Sequence, residues 1–346
     1  MRPPLLCLPA ILAFALTPHA ASATVAGWTP SPAALEAAWQ YSASHNGFSL
    51  LVIQRGRTLL ERYAQGDGPF TRRKIYSGTK GLWCVAAVAA QSDGLLNLDE
   101  PVAATITEWR GKPGRDRITI RELLNFTAGV DPGFHLHSDD VPDRDGYAIA
   151  LPQVAQPGRS FIYGPSQIQV FCEVLRRKLA RRGGETPWHY LDRRVLRPLG
   201  IESVPHKVDA VGNPLLAAGV QMTAREWARF GEFLLAGGRT VLPSGALSQC
   251  LRGTARNPAF GMGFWLNDEA PAGRTVNVED NLEPKWSRED WSDACLCRQA
   301  PRDLFVSLGS MGQRLYVIPS LDMVVVRLSA DSKYSDAAFL RLLMGR

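Results

Sequence analysis

The chain has 346 residues, of which 45% are hydrophobic, and a formal net charge of +6 at pH 7. These values are ordinary for a globular protein of enzyme size that is long enough to bury a large core. Its basic residues alternate with acids or lie beside apolar helix positions, and no basic stripe with interleaved aromatics is present. A nucleic-acid partner is therefore not expected.

The N-terminal 23 residues have the features of a secretory signal peptide. Arg2 supplies the positive charge, residues 5–16 form an apolar run, and residues 21–23 form a small-residue cleavage site. The apolar run is too short to span a bilayer, and no later stretch is long and apolar enough to do so. We therefore predict a periplasmic or secreted protein with a mature domain over 24–346 and no stable membrane insertion after cleavage.

Hydrophobic periodicity and turn residues predict an α+β fold. The predicted helices cover 31–44, 77–92, 166–182, 186–195, 223–236 and 334–344, and the predicted strands cover 48–54, 58–63, 305–308, 314–318 and 323–328. Strands at both chain ends predict one mostly antiparallel sheet, flanked by helices, with a helical lobe inserted between its halves. The sheet lobe would comprise about 24–75 and 240–346, and the helical lobe about 76–239.

The stretch Ser77-Gly78-Thr79-Lys80 begins an apolar, alanine-rich helix. Residues three apart lie on one face of a helix, so the hydroxyl of Ser77 and the amine of Lys80 are predicted to meet. A lysine that faces a core must lose its proton or find partners, and an uncharged amine can activate a serine nucleophile. For these residues taken alone, a helix cap followed by a lysine that reaches solvent is the preferred interpretation.

The order of several motifs resembles the serine β-lactamase and penicillin-binding-protein superfamily, most closely class C β-lactamases and related esterases. Ser77-Gly78-Thr79-Lys80 matches the family's S-x-x-K motif. The run 118–129 is similar to a segment where the family has L-L-x-H-T-S-G, and 157–163 to the approach to its second motif. Residues 309–313 with Pro319 resemble its closing strand pair. The similarity covers nearly all of the mature chain.

This resemblance implies an acyl-enzyme mechanism without a metal or other cofactor. Ser77 would be the nucleophile, and Lys80 and Tyr163 would transfer protons. The backbone N–H groups of Ser77 and Ser310 would form the oxyanion hole. Contacts to the substrate, a small ester, amide or β-lactam-like molecule, would come from Ser166, Ser307 and Gly309.

Two departures from the family pattern bear on the substrate. The second motif, Y-x-N in many relatives, is Tyr163-Gly164-Pro165 here, so the amide that would contact a peptide-like acyl group is missing. The third motif, often K-T-G, is Ser307-Leu308-Gly309 and lacks the cation that helps to hold a substrate carboxylate. We therefore predict an exported hydrolase of carboxylic esters or linear amides. The alternatives are a β-lactamase or D-Ala-D-Ala carboxypeptidase, and a catalytically weak binding or sensor protein.

Two further patterns allow other interpretations. His135, His137, Asp139 and Asp140 have the spacing of a zinc site, but the last histidine of that motif is replaced and a polar loop is the preferred interpretation. Cys250 could form a disulfide with Cys295 or Cys297 in an oxidising compartment. The segment 267–302, with Trp286 and Trp291, could be a lid over the site or a structural excursion fixed by that disulfide.

Overall fold

The architecture is described from a computed structural model, which describes residues 27–281, 290–331 and 333–346. The predicted signal peptide and Trp286 lie outside the described residues. Within the described ranges, every helix is too short or too polar to cross a bilayer.

The structure contains eight α-helices in the described residues. They are α1 (Pro32–Ser44), α2 (Thr79–Ser92), α3 (Ile120–Leu124), α4 (Arg144–Ala150), α5 (Ser166–Ala180), α6 (Pro187–Leu191), α7 (Ala224–Leu235) and α8 (Asp336–Leu343). All six predicted helices are confirmed, although α6 is shorter than predicted because it continues as one wider turn over Asp192–Leu196.

Ten strands are present in the same part of the chain: β1 (Gly47–Gln54), β2 (Arg57–Tyr63), β3 (Arg73–Lys74), β4 (Gln221–Met222), β5 (Trp265–Leu266), β6 (Arg274–Thr275), β7 (Ala294–Cys295), β8 (Phe305–Gly309), β9 (Gln313–Ile318) and β10 (Met323–Ser329). Six of them form one sheet in the order β2-β1-β10-β9-β8-β5, with every neighbouring pair antiparallel. The predicted α+β class and the sheet built from both chain ends are confirmed.

Side-chain caps explain where several helices begin. Ser31 accepts a hydrogen bond from the backbone N–H of Ala34, and Pro32 occupies the first turn of α1, where its missing N–H is harmless. Thr223 and Glu226 form a reciprocal capping box at the start of α7. The sequence signals for these ends are local, which is why they predicted the helix starts to within one residue.

Helices cover the sheet and bury its central strands. Every residue of β10 is buried, consistent with its run of valines. Helix α7 packs on β9 and β10, and Gly231 permits the close approach because a Cβ there would lie 2.6 Å from Cγ1 of Val324. Because α7 lies inside the segment predicted as the helical lobe yet packs on the sheet, the limits of the two lobes stay a prediction.

The disulfide that Cys250 could form with Cys295 or Cys297 is not present. Cys250, Cys295 and Cys297 are all buried free thiols. The thiol of Cys250 faces the carbonyl oxygen of Cys84 in α2 at 3.7 Å, whereas the thiol of Cys297 faces α8, 3.9 Å from the carbonyl oxygen of Ala337. The thiols therefore pack against different helices, and burial raises the pKa of each of them.

Candidate active site

The nucleophile turn connects β3 to α2. Tyr76 has a φ of +44°, a left-handed conformation that is unusual for a bulky residue and turns the chain into the single tight turn Tyr76–Gly78 before the helix. Gly78 lies against Trp227, and a Cβ there would be 2.6 Å from the indole. Ser77 is thereby held at the N-terminal end of a 14-residue helix.

Ser77 and Lys80 meet as their spacing predicts. Nζ of Lys80 donates to Oγ of Ser77 at 2.8 Å and to the carbonyl oxygen of Ala217 at 3.0 Å. The lysine is only 2% exposed and the serine 8% exposed. The alternative of a lysine that reaches solvent is therefore wrong, and a buried amine is hydrogen-bonded to a buried hydroxyl.

Tyr163 lies beside the same amine. Nζ of Lys80 is 4.8 Å from the centroid of the Tyr163 ring. The ring is buried and packs edge-on against Phe126 and Phe260, with centroid distances of 5.2 and 6.0 Å. Aromatic packing thus fixes the ring of Tyr163 beside the lysine of the first motif, and the role of its hydroxyl in proton transfer stays a prediction.

Strand β8 lies directly against the nucleophile turn. The hydroxyl of Ser307 is buried and donates to the carbonyl oxygen of Gly78 at 2.9 Å. Gly309 faces the backbone of Ile75 so closely that a Cβ there would lie 2.1 Å from the carbonyl oxygen. These two predicted substrate-binding residues therefore join β8 to the turn that carries Ser77, and their contacts with the scaffold give no support for a direct substrate contact.

Ser166 has a similar structural contact. Its side chain is buried and its hydroxyl donates to the carbonyl oxygen of Asp131, which ties the start of α5 to the preceding loop. Gly164 lies against Pro132, where a Cβ would be 2.4 Å from the carbonyl oxygen. The second motif of this chain is therefore packed against loop 131–133, and a substrate-binding role of Ser166 stays a prediction.

Ser77 and Ser310 line one cavity of about 510 Å³. Its other walls come from three parts of the chain. Lys74 and Tyr76 precede Ser77, His137 lies in a second segment, and residues 206–221 contribute His206, Lys207, Leu215, Ala218, Gly219 and Gln221. Two larger clefts of about 710 and 600 Å³ lie elsewhere, and neither is lined by Ser77. Of these three cavities, only the one of about 510 Å³ adjoins the Ser77–Lys80 pair. We therefore take it as the candidate active site.

The sequence did not predict that basic and imidazole side chains line this cavity. Lys207 pairs with Asp139 and donates to the carbonyl oxygen of His137 at 3.3 Å, while Lys74 is exposed and forms no ion pair with a described residue. The ring of His206 stacks on Trp188 at a centroid distance of 3.4 Å, and burial lowers the pKa of this imidazole. Local sequence patterns gave no signal for these contacts because their partners are far apart in the chain.

The four residues with zinc-like spacing point to different partners. His135 faces Asp140, with 3.3 Å between the imidazole and the carboxylate, whereas His137 lines the cavity and Asp139 pairs with Lys207. No group of three or more potential ligands is gathered within the described ranges. Trp291, from the segment proposed as a lid, is a buried core aromatic whose centroid lies 5.1 Å from that of Trp265.

Both the sequence and the fold of this chain are similar to those of known proteins. The profile of the Beta-lactamase family matches residues 33–344 of this chain. The chain belongs to the beta-lactamase family. The match includes both Ser77 and Ser310, and it confirms the predicted family resemblance over residues 33–344.

Relatives of this beta-lactamase-family chain include named hydrolases. It is 23% identical to the 6-aminohexanoate-dimer hydrolase of Paenarthrobacter ureafaciens over 305 residues, which are 82% of this chain and 72% of that protein. Its structure is similar to a class C beta lactamase from Rhodobacter sphaeroides, with a TM-score of 0.65, 18% identity, and coverage of 91% of this chain and 99% of the other.

A D-stereospecific amidohydrolase from Streptomyces sp. has the same fold, with a TM-score of 0.62, 17% identity, and coverage of 88% of this chain and 97% of the other. These structural likenesses are below 25% identity and therefore show the fold alone. The family match and the 6-aminohexanoate-dimer hydrolase relative support a serine hydrolase, as the sequence predicts.

Proposed function

We propose that this protein hydrolyses linear amides or carboxylic esters through an acyl-enzyme formed on Ser77. The observation that carries the proposal is the 2.8 Å hydrogen bond between the buried amine of Lys80 and Oγ of Ser77 at the edge of the cavity. Burial disfavours the charged form of an amine, and an uncharged amine can accept the proton of a serine.

The proposed reaction has two acyl-transfer steps. Lys80 accepts the hydroxyl proton while Oγ of Ser77 bonds to the scissile carbonyl carbon, and the backbone N–H groups of Ser77 and Ser310 bind the developing oxyanion. The C–N or C–O bond then breaks, and the leaving amine or alkoxide takes the proton through Tyr163. Water attacks the acyl-enzyme in the same manner, which releases the carboxylic acid and restores the hydroxyl.

Two observations favour a linear substrate over a β-lactam. The third motif offers Ser307 where relatives often have lysine, and this hydroxyl is already bonded to Gly78. The second motif replaces the amide with Pro165, which cannot donate a hydrogen bond. The name of the 6-aminohexanoate-dimer hydrolase supports an amide among the substrates.

The proposal is tested by comparing three substrates under the same conditions. A short-chain aryl ester, a linear aryl amide and a chromogenic cephalosporin are incubated with the wild type and with Ser77→Ala. We expect turnover of the ester or the amide with a kcat/KM at least about tenfold above that of the cephalosporin, and loss of turnover in the variant. Faster hydrolysis of the cephalosporin would contradict the substrate assignment, and full activity of the variant would contradict the nucleophile.

Export stays part of the proposal. The signal peptide predicted over residues 1–23 lies outside the described residues. Expression with the native N-terminus and mass measurement of the periplasmic protein test it, because cleavage after residue 23 gives a chain that begins at residue 24.

A further inference from the structure

Ser310 lies in the turn between β8 and β9, and the peptide that precedes it is held by a buried arginine. Nη1 of Arg314 donates to the carbonyl oxygen of Gly309 at 2.9 Å and to that of Gln313 at 3.0 Å. The carbonyl of Gly309 and the N–H of Ser310 belong to one peptide unit. The side chain of Arg314 is 0% exposed, so this cation is shielded from bulk solvent.

A buried carboxylate holds the other side of Ser310. Oε1 and Oε2 of Glu279 accept the backbone N–H groups of Met311 and Gly312, at 2.5 and 3.1 Å respectively. Nη2 of Arg314 donates to the same carboxylate at 2.9 Å. Met311 has a φ of +62°, so the turn has a backbone conformation that needs such external hydrogen bonds to persist.

Asp336 fixes the orientation of the guanidinium from the far side. Its carboxylate accepts from Nε of Arg314 at 2.7 Å and from Nη2 at 3.1 Å. The hydroxyl of Tyr316 donates to the same group at 2.6 Å. With one carboxylate on each side, the guanidinium is held in place as a planar fork and its Nη1 remains directed at Gly309.

The geometry of a peptide unit connects this network to the proposed oxyanion hole. A trans peptide is planar and its C=O and N–H groups point in opposite directions, so fixing the Gly309 oxygen also fixes the direction of the Ser310 N–H. A cationic donor on the carbonyl oxygen also polarises the peptide, which makes its N–H a stronger donor in a site of low dielectric constant.

We propose that Arg314 and Glu279 are positioning residues that orient and polarise the Ser310 N–H as an oxyanion donor. This inference rests on the proposed acyl-transfer function. Neither residue contacts the reacting atoms: Arg314 acts through the peptide between Gly309 and Ser310, and Glu279 through the turn that follows it. The site residues that the family resemblance implies include neither Arg314 nor Glu279.

The test uses Glu279→Gln and Arg314→Lys, with Glu173→Gln as the matched control. Glu279→Gln retains an oxygen acceptor for the turn but removes the charge, and Arg314→Lys retains the charge but loses the planar fork. Glu173 in α5 is also a carboxylate with 6% side-chain exposure that pairs with arginines, Arg176 and Arg177, so Glu173→Gln removes a comparable charge without touching Arg314 or the Ser310 turn. Circular dichroism and thermal unfolding establish that each variant is folded.

The readout is the ratio of kcat for an aryl ester to kcat for its thiono analogue. Sulfur is the weaker hydrogen-bond acceptor, so this ratio reports the strength of the oxyanion donors and is insensitive to a general loss of folded enzyme. Since removal of one such donor costs about 10²–10³-fold in kcat, we expect the ratio to fall by at least about tenfold in Glu279→Gln and Arg314→Lys. In Glu173→Gln it should stay within about twofold of the wild type.

An unchanged ratio in both folded variants overturns the positioning role, as does an equal fall in Glu173→Gln, which would indicate that the ratio responds to the loss of any buried ion pair. Ser77→Ala in the same assay separates this from the proposed function. Loss of turnover in Ser77→Ala together with an unchanged ratio in the other variants refutes only the inference. Retained turnover in Ser77→Ala refutes the acyl-enzyme itself.

Discussion

The contact between Gly309 and Ile75 predicts a large loss of activity from one added methyl group. In Gly309→Ala the new Cβ would lie 2.1 Å from the carbonyl oxygen of Ile75, whereas real Cβ contacts are essentially never shorter than 3.0 Å. The backbones of β8 and of the nucleophile turn must therefore separate by about 1 Å. This movement separates Ser310 from Ser77, the two proposed sources of the oxyanion hole.

A displacement of about 1 Å can lower a rate about 10²-fold, because the donors no longer match the transition state. We therefore expect kcat for an aryl ester to fall about 10²-fold in Gly309→Ala, with a smaller change in KM. The overpacking should also lower the free energy of unfolding by about 1–3 kcal/mol. Steady-state kinetics and urea unfolding measure the two effects separately.

Gly68→Ala is the matched control, because a Cβ at Gly68 would meet nothing within 4 Å and the residue has no positive φ. Its kinetics should equal those of the wild type. A folded Gly309→Ala protein whose kcat remains within about threefold of the wild type would refute the argument that this contact sets the distance between β8 and the nucleophile turn.

Three further predictions follow from single contacts. Ser307→Ala should lower the free energy of unfolding by about 0.5–1.5 kcal/mol and leave KM unchanged, because its hydroxyl binds Gly78; a large rise in KM would instead restore a substrate-binding role. Lys74→Ala should lower kcat/KM for an ester with a carboxylate in its acyl chain more than for a neutral ester, because this exposed amine lines the cavity; equal effects on the two esters would contradict this. Burial raises the pKa of Asp145 to about 7, and an unfolded aspartic acid titrates near 3.9. Between these two pKa values, Asp145 holds a proton in the folded state that it has lost in the unfolded state. The free energy of unfolding therefore falls as pH rises through this range, by about 3 kcal/mol between pH 5 and pH 8. Urea unfolding of Asp145→Asn at both pH values should show a correspondingly smaller fall, and the same fall as in the wild type would disprove the assignment.

The nucleophile pair could be predicted because its geometry is local. Ser77 and Lys80 lie three residues apart on one helix, and helix geometry alone brings a hydroxyl and an amine together. For the same reason the capped helix starts and the long β-branched strands were predicted correctly. The sequence left open whether Lys80 is buried or reaches solvent, and the structure shows it buried.

The rest of the cavity depends on contacts between distant segments. His137 and Lys207 come together through a hydrogen bond across 70 positions, and no local period encodes it. The contact of Ser307 with Gly78 spans 229 positions and gives that serine a structural link that its sequence position did not predict, while its substrate contact stays a prediction. Cys250 and Cys297 are both buried, but their spacing in sequence carries no information on which helix each one faces.

The central claim is that Ser77 is acylated with the help of Lys80. Incubation of the folded protein with a fluorophosphonate probe, followed by digestion and mass spectrometry, tests it most directly. We predict one adduct on Ser77 in the wild type and a labelling rate lower by at least about 10²-fold in Lys80→Ala, because general-base assistance contributes about 10²–10⁴-fold. Absence of label on Ser77, or full-rate labelling in Lys80→Ala, would contradict the account.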